Sequence, residues 1–381
     1  LYLGAESGLW VSADRGKSWI KVAGNFPTVP VYEITLHPRD NDMILATHGR
    51  AIWILDDLAP FQQYATAKTA GNFLFDVEPA VQRGIADDRE RVFEGNMIFL
   101  GQNPPFGARI PYHLGAKADS VSVVVKDAAG ATVRTLRGNA TKDGLAAGVN
   151  SVVWDLRIEP IPGPKPDTPP PAGAPDNGTE GPLVLPGDYQ VALIVNGKPA
   201  GAGSVKVLGE PDITISDADR RARFDALREL QAVGSRVQHA TAAVRKANDQ
   251  LGQIRTALGD SASIPAPVKA TLDSLTKSLD TLKKRFGVGI DFSDPNFSFE
   301  DFRKSLGFRV GNVAGGIEGA TAPATEGEIR QIGELKRDIP GAIVAVNAFV
   351  ARLPVFYKQL ADAGLYPVTP KPVPPDDGGD E

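Results

Sequence analysis

The chain has 381 residues, a net charge of −5 and no cysteine. That length predicts roughly two to three domains. The missing cysteine excludes disulfides, thiolate catalysis and zinc–sulfur sites, and the lack of a concentrated basic patch argues against nucleic acid as a partner.

The 40 glycines and 31 prolines suit a turn-rich β portion. No apolar run approaches the roughly 20 residues that span a bilayer, so an integral membrane protein is not expected. In residues 1–64 the short aromatic and β-branched runs predict strands over 2–5, 9–12, 19–22, 31–37, 43–47 and 51–55. Between the second and third stands Ser12-Ala13-Asp14-Arg15-Gly16-Lys17-Ser18-Trp19, which fits the Asp-box pattern S-x-D-x-G-x-[ST]-W. Ser12 and Asp14 are suited to bonding backbone N–H groups in a reversal, and Gly16 to a positive φ. Trp19 is expected to open the outgoing strand as an apolar plate. The acid at position 14 is therefore expected to be structural, not catalytic.

A repeat supports this pattern. Residues 3–11 are echoed by 45–54, and Trp10 and Trp53 stand 43 positions apart, within the roughly 40–50-residue period of propeller blades. A ring needs at least about four blades to close, so these residues are expected to be the tail of something longer. Together the octet, "LYLGAESGLWVS" and "ATHGRAIWILDDLAPF" resemble the last blades of the bacterial sortilin-type BNR/Asp-box β-propeller proteins. That family carries a glycosyl hydrolase or sialidase-like label. The resemblance implies a secreted, periplasmic or cell-envelope location. The start at Leu1, in mid-strand and without a signal peptide, leads us to expect targeting information elsewhere. After Trp53-Ile54-Leu55 the repeat lacks the glycine and the closing tryptophan, so the blades are expected to end by residue 64.

The chemistry in this region is sparse. His48 and Arg50, at a strand end, are candidate ligand-binding residues, since such loops carry sites and an arginine pairs with carboxylate or sulfate. A sialidase-like enzyme would need three arginines, a tyrosine nucleophile with a glutamate, and an aspartic acid/base. One arginine cannot supply that. Asp56 and Asp57 could be a glycosidase pair, but neighbours on a strand point to opposite faces.

Residues 65–71 turn small and polar, as in a linker. Residues 72–209 read as a β-sandwich, with alternation over 120–126 and 131–136 about a short Asp/Gly turn. The stretches 148–155 and 185–193 are similar to the Ig-like domain of flagellar hook-capping proteins, which implies that Trp154 and Tyr189 fill the core. A Pro-rich insert over 157–182 is expected to be an exposed loop with polyproline II character.

Residues 212–366 read as helical. Leu230, Val233, Val237, Ala240, Val244, Ala247, Leu251, Ile254 and Leu258 alternate in steps of three and four. That is a heptad seam on a helix about 60 Å long. A second seam runs from Leu272 to Phe286 and a third from Ile332 to Leu360, with Pro340 expected to kink or divide it. Residues 287–325 read as irregular. A calcium loop beginning at Asp294 fails, because Phe299 holds the glycine position and Ser305 that of the bidentate glutamate. Residues 367–381, rich in Pro, Asp and Gly, are expected to be disordered.

The expected fold class is therefore multidomain β plus α: the last blades of a β-propeller, an Ig-like β-sandwich and an antiparallel three-helix bundle. No catalytic residue, metal or cofactor is expected, and whether the parent is an enzyme stays open. The expected function is that of the non-catalytic C-terminal region of an Asp-box propeller protein, acting in binding or assembly with a protein or glycan partner. The alternative is part of a glycoside hydrolase whose active site lies mainly in other blades.

Overall fold

The computed structural model describes residues 1–83, 105–138, 144–165, 178–259, 264–293 and 297–365. The protein is mixed β and α, with several separate sheets followed by helices. Its contacts divide into two compact units. One is Leu1–Glu159 with Gly181–Ser216; the other is Pro160–Glu180 with Asp217–Glu381.

The first unit opens with β1 (Tyr2–Ala5), β2 (Gly8–Val11) and β3 (Ile20–Lys21) as one antiparallel sheet. A second follows in β4 (Val31–Leu36), β5 (Met43–Thr47) and β6 (Ile52–Leu55). Alternation along each strand decides what is buried. Leu9 and Val11 share a core with Val31, Met43, Leu45 and Leu58. Gly4 lies so close to the Val31 carbonyl that a Cβ there would sit 2.6 Å from it. Among the described residues the opposite faces are uncovered. Leu3 is 47% exposed beside half-buried Trp10 on one sheet, and Ile52 and Ile54 are 68% and 57% exposed beside half-buried Ile44 on the other.

After β6 come two short helices, α1 (Ala59–Gln62) and α2 (Tyr64–Ala70). Of the stretch read as a linker, residues 65–70 are thus helical, and Ala67 is fully buried. Alanine and threonine without Gly or Pro carry no turn signal, and tertiary burial decides.

The rest of this unit is two sheets. One holds β8 (Ala80–Gln82), β10 (Val121–Lys126), β11 (Thr132–Arg137), β13 (Gly187–Val195) and β14 (Lys198–Gly209) in the order β11-β10-β13-β14-β8. The other has β9 (Ala108–Leu114) between β7 (Phe73–Leu74) and β12 (Gly148–Trp154). Side chains from both form one core, with Trp154 and Tyr112 fully buried. The Trp154 and Tyr189 rings meet edge-on at 5.3 Å, and their polar ends donate to the Arg157 and Leu185 carbonyls. Buried aromatics are tolerable on those terms.

The second unit is built on α3 (Asp217–Leu258), at about 63 Å the longest element. Every residue named in the three heptad seams is buried except half-buried Leu258. The third seam spans two helices, α7 (Glu326–Val350) and α8 (Leu353–Asp362). Pro340 does not divide the helix: α7 runs on through it, and the break falls at Ala351 and Arg352, just before Pro354. Pro340 is exposed, so the carbonyl that loses its helical donor can turn to water.

Residues 287–325 are also more regular than expected. They hold α5 (Phe299–Lys304) and α6 (Leu306–Gly319), whose N-caps are Ser298 and Ser305. Lys336 reaches Glu229 and Tyr357 reaches Gln250, so α7 and α8 run in step with α3. Arg352 reaches back to Ser274 and Ser278, so α4 (Ala266–Phe286) runs the other way. Arg223 donates to the Ile317 and Glu318 carbonyls at the end of α6, which is likewise reversed. Residues 367–381, most of the Pro-rich run and Asp294 with Asn296 lie outside the described residues.

Candidate functional site

The reversal between β2 and β3 is held by side chains. The Ser12 hydroxyl donates to Asp14 Oδ1 at 2.9 Å, and the Ser18 N–H donates to the same oxygen at 2.8 Å. The Ser18 hydroxyl donates to Asp14 Oδ2 at 2.6 Å. Ser12 Oγ accepts the Gly16 N–H at 2.7 Å, and Gly16 has φ +89°. A carboxylate has about four acceptor positions, and this turn occupies three of them. The Ser18 hydroxyl and N–H, followed by Ser12, lower the Asp14 pKa to about 2. Trp19 lies just before β3, not in it, and is 37% exposed. Asp14 is thus an anion at neutral pH whose charge is turned onto the Ser12 and Ser18 hydroxyls and the Ser18 N–H of its own turn.

His48 and Arg50 sit in the loop between β5 and β6. Thr47 closes it, donating its N–H and hydroxyl to the Ala51 carbonyl at 3.2 and 2.6 Å. Gly49 and Ala51 take φ of +75° and +58°. The His48 N–H donates to the Pro30 carbonyl at 3.0 Å, and Trp53 Nε1 donates to the Arg50 carbonyl at 3.0 Å. The loop is built from main-chain groups of both residues. Their side chains are exposed, the imidazole lying 5.5 Å from the Tyr32 ring, and the Arg50 guanidinium has no carboxylate partner among the described residues.

The structure also assembles a group that the sequence conceals. Asp56 and Asp57 come after β6, not on it, so strand alternation does not separate them. Asp57 has φ +61°; its N–H donates to Asp42 Oδ1, and its own Oδ1 accepts from the Ala59 N–H, both at 3.0 Å. Burial, then the charge of Asp42, raises the Asp56 pKa, and burial is also the main cause of the rise at Asp57. Glu78 is raised furthest, to about 7, by burial first and then by Asp57, Asp42 and Asp40, against a hydrogen bond from Asn41. Such a carboxyl exchanges a proton near neutrality. Among the described residues no three His, Asp or Glu side chains are arranged to hold a metal ion. The arrangement is an acidic joint in which burial raises the pKa of Asp56, Asp57 and Glu78, next to buried Leu58. The only signal in the sequence was the Asp56-Asp57 pair, because Asp42 and Glu78 are remote from it along the chain.

Comparison with known proteins returns no matching family model, no matching curated protein and no matching solved structure.

Proposed function

We propose that this chain supplies closing blades and following modules of a secreted or cell-envelope Asp-box propeller protein of sortilin type, and that it acts in binding and assembly, not catalysis. The observation that carries this is the pair of uncovered apolar sheet faces, Leu3 with Trp10 on one side and Ile44, Ile52 and Ile54 on the other. In a ring of radially packed sheets, neighbours cover each sheet on both faces. Isolated exposed apolar residues need no explanation, whereas contiguous ones mark an interaction surface. The self-contained Ser12–Ser18 turn fits a structural box. The two sheets around Trp154 fit an Ig-like sandwich, and the helices fit an antiparallel three-helix bundle in which α4 and α6 share one rod. Both are modules suited to holding a protein or glycan partner.

The chain's lack of cysteine makes the test direct. An Ile54→Cys thiol should react rapidly with a maleimide in the isolated chain and slowly in the native protein assembled by its source cell. Equal, fast labelling in both would overturn the proposal. The rival, a glycoside hydrolase, draws on Glu78 as a carboxyl that titrates near neutrality. Turnover of a sialoside or other glycan that Glu78→Gln abolishes would favour the enzyme.

A further inference from the structure

We infer that the free edge of β6 is an acceptor site for one extended antiparallel strand, of the kind that β3 supplies to β2. The repeat read in the sequence is also a repeat of register. Leu3 lies opposite Trp10 in the first sheet, and Leu45 lies opposite Trp53 in the second. Strands β5 and β6 therefore correspond to β1 and β2. The correspondence stops at the next strand. After β2 the Ser12–Ser18 turn returns the chain as β3, whereas after β6 the chain leaves through Asp56 and Asp57 into α1. The second sheet thus ends one strand short of the first.

Main-chain groups decide what fits there. Along an antiparallel pair, residues point their N–H and C=O alternately toward the partner strand and away from it. The Ser12 N–H donates to the Leu1 carbonyl, so the main chain of Trp10 faces β1 while that of Leu9 and Val11 faces β3. Accordingly the Val22 N–H donates to the Leu9 carbonyl at 2.9 Å, and Ile20 pairs with Val11. In the second sheet the Thr47 N–H donates to the Ala51 carbonyl, so Trp53 and Leu55 face β5, and Ile52 and Ile54 face outward. Among the described residues, nothing pairs with the outward N–H and C=O groups of those two isoleucines. An edge of this kind takes up extended chain. The shared register sets the chemistry of the guest: β-branched residues opposite Ile52 and Ile54 flank a polar one opposite Trp53, as Ile20 and Val22 flank Lys21. This edge site stands on the repeat and the register alone, apart from whatever covers the sheet faces.

The test is fluorescence anisotropy with the full chain and a labelled peptide that copies residues 17–23, Lys-Ser-Trp-Ile-Lys-Val-Ala. Binding should saturate. Methylating the peptide nitrogen that copies Val22 removes a donor to β6 and should weaken binding about tenfold. Methylating the nitrogen that copies Lys21, which points away from β6, should leave binding unchanged. In the chain, Ile54→Pro removes a donor from the edge itself and should weaken binding as the first methylation does. Proline is tolerated on an edge strand, and Trp53 is already extended, as the residue before a proline prefers, so the variant should fold. If its melting temperature falls, the two methylated peptides still decide the matter on the unaltered chain. No binding, equal losses with both methylated peptides, or binding indifferent to Ile54→Pro would each overturn the inference. Dimerisation of the chain abolished by Ile54→Pro would assign the edge to a second copy and overturn it too.

Discussion

Asp14 accepts three short hydrogen bonds from Ser12 and Ser18, so its carboxyl stays ionised down to about pH 2 against an ordinary value of 3.8. A depressed acid stabilises the fold above its unfolded pKa, and that contribution is lost as pH falls through the folded value. The turn should therefore weaken between about pH 4 and pH 2, which carbon-detected NMR titration of the Asp14 carboxyl would follow. Asp14→Ala should lower the melting temperature by a few degrees and Asp14→Asn by less. Loss of a ligand without loss of stability would contradict the structural role. Glu78 has the opposite sign. Its folded pKa, raised to about 7 chiefly by burial, means that stability declines as pH rises from about 4.5 through 7. Glu78→Gln should flatten that decline and raise the melting temperature at pH 8 more than at pH 5. At this scale the Asp-box was legible because its residues are contiguous. The carboxylate joint was not, since tertiary contact alone brings residues 42, 57 and 78 together.

The helices show which elements a sequence reveals. Seams of Leu, Ile, Val and Ala at heptad spacing are legible because burying one face is what those residues do in any water-soluble helix. Leu335, fully buried, should cost about 2–5 kcal/mol on replacement by Ala. Val344, two-thirds exposed on the same helix, should cost less than about 0.5 kcal/mol on replacement by Lys. Urea denaturation measures both. Helix α6 was hidden by Gly307, Gly311, Gly315, Gly316 and Gly319, whose poor helix propensity is overridden by burial of Leu306, Val313 and Ile317. Most of the Pro-rich insert lies outside the described residues, and only its base is seen. Its prolines announce an exposed loop, yet Pro160–Glu180 groups with the helices through Thr179. Gln231, 7% exposed, donates to the Thr179 carbonyl, so Gln231→Ala should cost about 1–3 kcal/mol in the same denaturation assay.

For the whole molecule, alternating strands and heptad helices made the mixed β and α class legible. How the sheets of the first unit are completed is a proposal that rests on the resemblance. Two stacked sheets share a core of Leu9, Val31, Met43, Leu45 and Leu58, and among the described residues their apolar outer faces are without cover. Our account treats those faces as internal surfaces of a larger ring. Electron cryomicroscopy of the protein as assembled in its source cell tests this most directly. We predict that a further small antiparallel sheet lies against Ile44, Ile52 and Ile54, removing all three from solvent. A map in which they stay solvated, or are covered by a helix, would contradict the account.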